Sequence, residues 1–277
     1  MRTIAVDSIS IGGNEPLVLI AGPCVVENRD LVLTTAEKIK EICTRLRVPV
    51  IFKSSYKKAN RTSISGFSGI GMDKALSVLA EVKKNFAMPV LTDVHSQEEI
   101  SAAADAADVL QIPAFLCRQT ELLIAAGKTG RVVNIKKGQF LAPEDMKHPI
   151  EKVASTGNEK IFVTERGASF GYHNLVVDMR GIPVMRSFGY PVILDATHSV
   201  QLPGGSEGQS GGQREFIFPI ARAGAAVGIS GLFVETHPDP PHAFSDAASQ
   251  LPLSQLETLL KQVTLIDNLV KRNGWQS

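Results

Sequence analysis

Cys24, His198, Glu235 and Asp246 together offer one thiolate, one imidazole and two carboxylates, a donor set suited to a divalent transition metal. Each follows or ends an apolar, strand-like run. They lie far apart along the chain, so no short ligand-spacing motif joins them. Only a fold that gathers strand ends in one place assembles such a site.

The chain carries the pattern of such a fold. A short run rich in Val, Ile and Leu, then a polar or glycine-containing turn, then usually a segment of helical spacing, recurs eight times. The runs are Leu17 to Ala21, Pro49 to Lys53, Pro89 to Asp93, Val109 to Pro113, Arg131 to Lys136, Lys160 to Glu165, Pro191 to Asp195 and Gly231 to Glu235. Several are continuous apolar blocks, as parallel strands covered on both faces require. Eight strands with helices between them predict an α/β fold, a (β/α)8 TIM barrel forming a single domain over residues 1–277. The helices show as apolar stripes, at Leu31, Ala36, Ile39, Ile42 and Leu46 and again from Leu253 to Val270. Asp73 and Ser96 stand where N-caps are expected. Ile4 to Ile11 alternates before Gly12-Gly13-Asn14, predicting a short N-terminal β-hairpin that closes the barrel bottom. Gly204 to Gln213 holds five glycines in ten residues and reads as a mobile loop over the active site.

Composition narrows the partners. With 277 residues, 44% hydrophobic and 21% charged, and a formal charge of +1, the chain has no overall field that gathers nucleic acid or an anionic membrane. Anion binding falls to local clusters. The longest uncharged apolar stretch, Leu17 to Val26, is broken by Gly22-Pro23 and is far shorter than the roughly 20 residues of a membrane helix. No membrane span is expected. Three cysteines, Cys24, Cys43 and Cys117, are too few and odd in number for a disulfide framework, and Met1 to Gly13 lacks a signal-peptide core, so a cytoplasmic protein with reduced thiols is expected.

Catalytic groups of such barrels come from the C-terminal strand ends and the loops beyond them. In order, these positions supply Cys24; Lys53 with Lys57, Lys58, Asn60 and Arg61; Asp93 and His95; Gln111; Asn134, Lys136 and Gln139; Glu165 and Arg166; Asp195 and His198; and Glu235, His237 and Asp246. Two cationic clusters result, Lys53 to Arg61 and Lys136 with Arg166, each able to clasp a phosphate. They imply two phosphorylated substrates or one long anionic one. Lys57 and Lys137, taken singly, read equally well as solvated loop cations. Cys43 and Cys117 read as small core residues, His148 and His242 as surface groups, and His95 and His237 as groups supporting the ligands from behind.

Several segments together resemble one family. Ala21-Gly-Pro-Cys24, Phe52-Lys-Ser-Ser-Tyr-Lys-Lys-Ala-Asn-Arg-Thr-Ser63, Leu91-Thr-Asp-Val-His95, Leu110-Gln-Ile-Pro-Ala114, Asn134-Ile-Lys-Lys-Gly-Gln139, Thr164-Glu-Arg-Gly167, Asp195-Ala-Thr-His198 and Glu235-Thr-His-Pro-Asp-Pro240 resemble the 3-deoxy-D-manno-octulosonate 8-phosphate synthases, in order and over nearly the whole chain. The resemblance implies condensation of phosphoenolpyruvate with D-arabinose 5-phosphate, with release of phosphate, in a cytoplasmic step of lipopolysaccharide core sugar synthesis by a homotetramer. It implies that Lys136 and Arg166, helped by backbone at Ala114, hold the phosphate of phosphoenolpyruvate, and that Lys53 and Lys58 hold its carboxylate. Asn60, Arg61 and Thr62 would receive the sugar phosphate, with Gln111, Asp93 and Gln139 around the reacting centres. Lys58, Asp93, His198 and Asp246 are the expected catalytic residues.

Cys24, His198, Glu235 and Asp246 match the ligands of the metal-dependent branch, since metal-independent members have Asn in place of Cys24. One divalent transition metal per subunit is implied, with Fe, Zn, Mn and Co all compatible. Crowding by Lys53, Lys57 and Arg61 predicts a lowered pKa for Lys58, apt for a proton donor to the aldehyde oxygen. The nearest alternative is 3-deoxy-D-arabino-heptulosonate 7-phosphate synthase, whose loop usually reads Lys-Pro-Arg-Thr-Ser where this chain has Lys58-Ala-Asn-Arg-Thr-Ser63. A non-catalytic sugar-phosphate binding barrel is a further alternative. His173, in Gly171-Tyr-His-Asn174, departs from the family pattern.

Overall fold

The computed structural model of the chain describes residues 1–59, 66–206 and 209–275. Among these, eight parallel strands form the barrel: β1 Val18–Gly22, β2 Val50–Lys53, β3 Val90–Asp93, β4 Val109–Ile112, β5 Val132–Lys136, β6 Ile161–Glu165, β7 Val192–Asp195 and β8 Gly231–His237. Each pairs with the next, and β8 closes the ring on β1 with Gly231 opposite Val18 and Glu235 opposite Gly22. Every residue of these strands is buried, which accounts for the continuous apolar runs in the sequence.

Helices cover the outside: α1 Arg29–Leu46, α2 Met72–Phe86, α3 Gln97–Ala106, α4 Thr120–Lys128, α5 Lys147–Ala154, α6 Gly181–Arg186, α7 Ile217–Val227 and α8 Leu256–Arg272. The side chain of Asn28 accepts the Leu31 N–H at 2.8 Å and caps α1, while Ser96 occupies the N-cap position of α3. Asp73 does not cap α2. The cap residue is Gly71, and Asp73 lies in the first turn, where its charge suits the helix N-terminus.

Alternation splits the core in two. Leu17, Leu19 and Ala21 face α1 and α8 as part of the shell between strands and helices, whereas Val18 and Ile20 point into the barrel with Ile51, Leu91, Val109, Val132, Phe162, Ile193 and Phe233. The N-terminal hairpin, Thr3–Val6 paired with Ile9–Gly12, packs Ile4, Val6 and Ile11 onto this interior layer. The bottom of the barrel is thereby sealed by apolar side chains. The described residues of the glycine-rich run, read in the sequence as a mobile loop, pair as a two-stranded antiparallel ribbon, Gln201–Ser206 with Gln209–Gly212. The Pro203 carbonyl and a ring nitrogen of His173, in the Ala168–Ser169/Leu175–Val176 hairpin, stand 2.6 Å apart, which gives His173 a place in the fold.

Candidate active site at the barrel mouth

On β2 to β8, a polar residue follows two residues beyond the inward apolar one. Ile51 is followed by Lys53, Leu91 by Asp93, Val109 by Gln111, Val132 by Asn134 and then Lys136, Phe162 by Thr164 and then Arg166, Ile193 by Asp195, and Phe233 by Glu235. The pleat's period of two therefore stacks a ring of ionisable and amide groups directly on the apolar floor. Asp93 accepts hydrogen bonds from the Ser55 hydroxyl and the Gln111 amide; Asn134 donates to Gln111 Oε1 at 2.8 Å, and the Thr164 hydroxyl donates to Asn134 Oδ1 at 2.8 Å. This satisfied chain gives the buried polar side chains fixed orientations. Lys53 and Lys58 hold the Asp93 carboxyl well below its usual range although burial acts the other way.

At one side of the mouth, Cys24, Glu235 and Asp246 bring donor atoms within 4.8 Å of one another. Cys24 Sγ stands 3.0 Å from Asp246 Oδ2, and His198 Nε2 lies beside the group, 3.8 Å from Glu235 Oε1 and 4.0 Å from Asp246 Oδ2. The sulfur and the two carboxylates are close enough together to offer a cation three donors, with the imidazole next to them. The opposite ring nitrogen of His198, Nδ1, lies 2.7 Å from Asp195 Oδ2, and the Asp195 carboxylate also accepts the His198 backbone N–H at 2.8 Å and the Thr197 hydroxyl at 3.0 Å. A carboxylate fixing the far side of an imidazole is the arrangement that turns Nε2 toward a ligand. Burial, then the negative charge of Asp246 and Glu235, pushes the Cys24 thiol well above its ordinary pKa, and a bound cation acts in the opposite direction.

Two ammonium groups face these acids. Lys53, fully buried, reaches Glu235 Oε1 at 2.5 Å and donates to the Cys24 carbonyl at 3.0 Å. The approach of β1 to β2 depends on Gly22, where a side chain would meet the Lys53 carbonyl at 2.0 Å. Lys58 Nζ lies 3.9 Å from Asp246 Oδ2 and 4.0 Å from Glu235 Oε1. Burial alone would lower the Lys58 pKa, but negative charge at Cys24, Glu235 and Asp246 outweighs it and raises the pKa well above the ordinary lysine value. The expected lowering is therefore overturned: acids, not neighbouring cations, dominate its surroundings.

The other side of the mouth is cationic. Lys136 Nζ stands 2.6 Å from Asp195 Oδ2 and 4.3 Å from the Phe233 ring centroid. Arg166 donates from Nη2 to Gln201 at 2.9 Å. Its Nη1 and the Gln139 Oε1 are buried without a hydrogen-bond partner among the described residues, and both residues line the cavity. Burial lowers the Arg166 pKa, yet a guanidinium stays charged at neutral pH. An anion placed there meets an unspent, desolvated donor.

The cavity, of about 200 Å³, is lined by Lys53, Lys58, Asp93, Gln111, Ala114, Lys136, Gln139, Arg166, His198 and Glu235 among others, so the expected substrate residues that the structure describes lie around one space. Asn60, Arg61 and Thr62 lie outside the described residues. His95 lines the cavity with its Nδ1 3.4 Å from Glu99, whereas His237 faces Glu27 at 3.6 Å, behind the loop that carries Asp246. Lys57 pairs with Glu99 at the surface, but Lys137 is buried against Glu165, contrary to its reading as a solvated cation. Asp195, which orients both His198 and Lys136, was visible in the sequence only as one more strand-end acid. Its fixed separation of three residues from His198, across a turn, is the signal that could have singled it out.

The model of the DAHP synthetase I family matches residues 2–272. The chain is 57% identical over 270 residues to a 2-dehydro-3-deoxyphosphooctonate aldolase of Trichlorobacter lovleyi, covering 98% of this chain and 99% of that protein. It is 55% identical over 270 residues to the protein of the same name from Geobacter metallireducens and 53% identical over 270 residues to that of Geobacter sulfurreducens, again covering 98% of this chain and 99% of each relative.

Proposed function

The chain belongs to the DAHP synthetase I family, and from that premise we propose that it condenses phosphoenolpyruvate with D-arabinose 5-phosphate and water to give 3-deoxy-D-manno-octulosonate 8-phosphate and inorganic phosphate. The carrying observation is one cavity in which the His198 imidazole and the Asp93 and Glu235 carboxylates share the lining with the buried cations Lys136 and Arg166, with Cys24 and Asp246 next to Glu235. A sugar-phosphate sensor needs the cations but not the opposing donor set. The 2-dehydro-3-deoxyphosphooctonate aldolase name of relatives at 53–57% identity supports this substrate pair over erythrose 4-phosphate.

In the proposed reaction, C3 of phosphoenolpyruvate bonds to the sugar aldehyde carbon while a water oxygen adds at C2. The tetrahedral carbon then releases phosphate by cleavage of its C2–O bond, and the added oxygen becomes the ketone. Of the two protons of that water, one ends on the aldehyde oxygen, now a hydroxyl, and the other leaves with the products. Lys136, Arg166 and the backbone at Ala114 hold the departing phosphate, and Lys53 and Lys58 hold the carboxylate. Lys58, whose ammonium lines the cavity, is assigned to hand a proton to the aldehyde oxygen, and the attacking water restores it. Asp93 stays ionised and, with Gln111 and Gln139, orients the reacting carbons. The sugar phosphate is assigned to Asn60, Arg61 and Thr62 on the resemblance of their segment. Cys24, His198, Glu235 and Asp246 would hold one divalent transition metal, Fe, Zn, Mn or Co, which when bound supplies Lewis acidity and orients a reacting oxygen.

The proposal places the enzyme in the cytoplasm as a homotetramer of single-domain subunits. Free Cys24, Cys43 and Cys117 suit a reducing compartment, and exposed Phe115, Phe140, Phe170 and Tyr172 on the loops beyond β4 to β6 suit contact with other copies. A kcat/KM for arabinose 5-phosphate at least tenfold above that for erythrose 4-phosphate, read as phosphate release, is expected. The reverse preference would assign the chain to heptulosonate synthesis.

A further inference from the structure

Lys137 and Glu165 are both almost fully buried, yet neither lines the cavity. Since Asn134 and Lys136 of β5, Thr164 of β6 and Arg166 just beyond it serve the interior, alternation turns Lys137 and Glu165 to the outer side of the wall. There Lys137 Nζ stands 3.4 Å from Glu165 Oε1. An ion pair in that position adds little net stability, because desolvation of both charges offsets their attraction. What it does have is a grip on two turns. Lys137 Nζ reaches the carbonyls of Gly138 and Leu141, each at 3.4 Å, on either side of Gln139. Glu165 Oε1 accepts the backbone N–H groups of Arg166 at 2.8 Å and Gly167 at 2.7 Å. Gly167 then turns the chain back with φ +92°, a conformation that L side chains rarely adopt. The two turns are also tied directly, Ser169 N–H donating to the Gln139 carbonyl at 2.9 Å and Lys137 N–H to the Thr164 carbonyl at 2.8 Å.

We propose that the Lys137–Glu165 pair is a positioning device that sets the backbone of both turns so that Lys136, Gln139 and Arg166 converge on one phosphate. This rests on the reading of those residues as the phosphoenolpyruvate phosphate site. Neither residue touches the reacting atoms, so its loss should weaken phosphate holding and spare the chemical step.

Replacing both, as Lys137→Met/Glu165→Leu, removes the charges together and leaves neither one unpaired, although the Arg166 and Gly167 N–H groups lose their acceptor, so the fold is expected to persist with a lowered thermal midpoint. Phosphoenolpyruvate titrated calorimetrically into this variant should bind about tenfold more weakly, and KM should rise by a similar factor while kcat stays within about twofold. Lys137→Met/Glu165→Gln returns an amide oxygen to the two N–H groups and should recover most of the affinity. If the leucine variant does not fold, Lys137→Met/Glu165→Gln carries the test, with the smaller loss left by the missing Lys137 contacts, about two- to threefold, expected. Unchanged phosphoenolpyruvate affinity in folded variants, with normal binding by the wild type, overturns the inference. Absence of binding by the wild type overturns the reading of the phosphate site instead.

Discussion

The floor and the mouth of the barrel are built from the same eight strands, two residues apart, and they are opposites. At the floor, Val18, Ile20, Ile51, Leu91, Val109, Val132, Phe162 and Ile193 meet Ile4, Val6 and Ile11 of the hairpin with no ionisable side chain among them. At the mouth, Lys53, Asp93, Lys136, Arg166, Asp195 and Glu235 crowd one buried ring, in which Lys53 pairs with Glu235 and Lys136 with Asp195. The floor supplies apolar burial, and the mouth uses it as a rigid base for groups that are costly to bury. Stability and chemistry are thereby separated along each strand.

That separation can be broken most forcefully from below. Phe162→Ala should cost about 3–5 kcal/mol of unfolding free energy while leaving KM for both substrates within about twofold, measured by urea unfolding and steady-state kinetics on the folded protein. A large change in KM would show that the floor and mouth are not independent. From above, Arg166→Ala should raise KM for phosphoenolpyruvate by about 10–100-fold, the equivalent of losing a charge-assisted hydrogen bond of roughly 1.5–3 kcal/mol, with little change in the unfolding midpoint. A midpoint lowered as much as by Phe162→Ala would make Arg166 a structural residue.

Acid sharpens the contrast further. The carboxyls of Asp93 and Asp195 sit below their ordinary pKa because Lys53 and Lys58 act on the first and His198 and Lys136 on the second, each against the opposing effect of burial. A folded-state pKa below the unfolded one contributes stability above the unfolded value, near 4. That contribution is lost as pH falls through the range below it. The urea midpoint should therefore drop as pH is lowered from about 5, and Asp93→Asn should flatten the dependence. A midpoint independent of pH down to 3 would contradict the ionised ring.

Much of this was legible in the sequence. All eight strands fall within a residue or two of the apolar runs, and the hairpin stands where alternation before Gly12-Gly13 placed it. Cys24, His198 and Glu235 lie at or within three residues of a strand end and Asp246 in the loop after β8, so topology rather than spacing brings them near one another. The electrostatics were not legible. Lys58 has cations beside it in sequence but acids beside it in space, so the direction of its pKa was misread. Lys137, like Lys57, could be read as a solvated loop cation because nothing in Asn134-Ile-Lys-Lys says that α6 packs against the outer face of the wall at Glu165. The glycine-rich run lacks side chains to mark a strand, and its pairing is made by backbone alone.

The central claim is that the thiol, imidazole and two carboxylates of the mouth serve the condensation through a divalent metal. The most direct measurement is phosphate release from phosphoenolpyruvate and arabinose 5-phosphate before and after chelation, with single divalent metals then restored. The account predicts activity lost on chelation and recovered with at least one of Fe(II), Zn(II), Mn(II) or Co(II) in the wild type, and not recovered in His198→Ala. Full turnover after verified metal removal would contradict it, leaving Cys24, His198, Glu235 and Asp246 without that role.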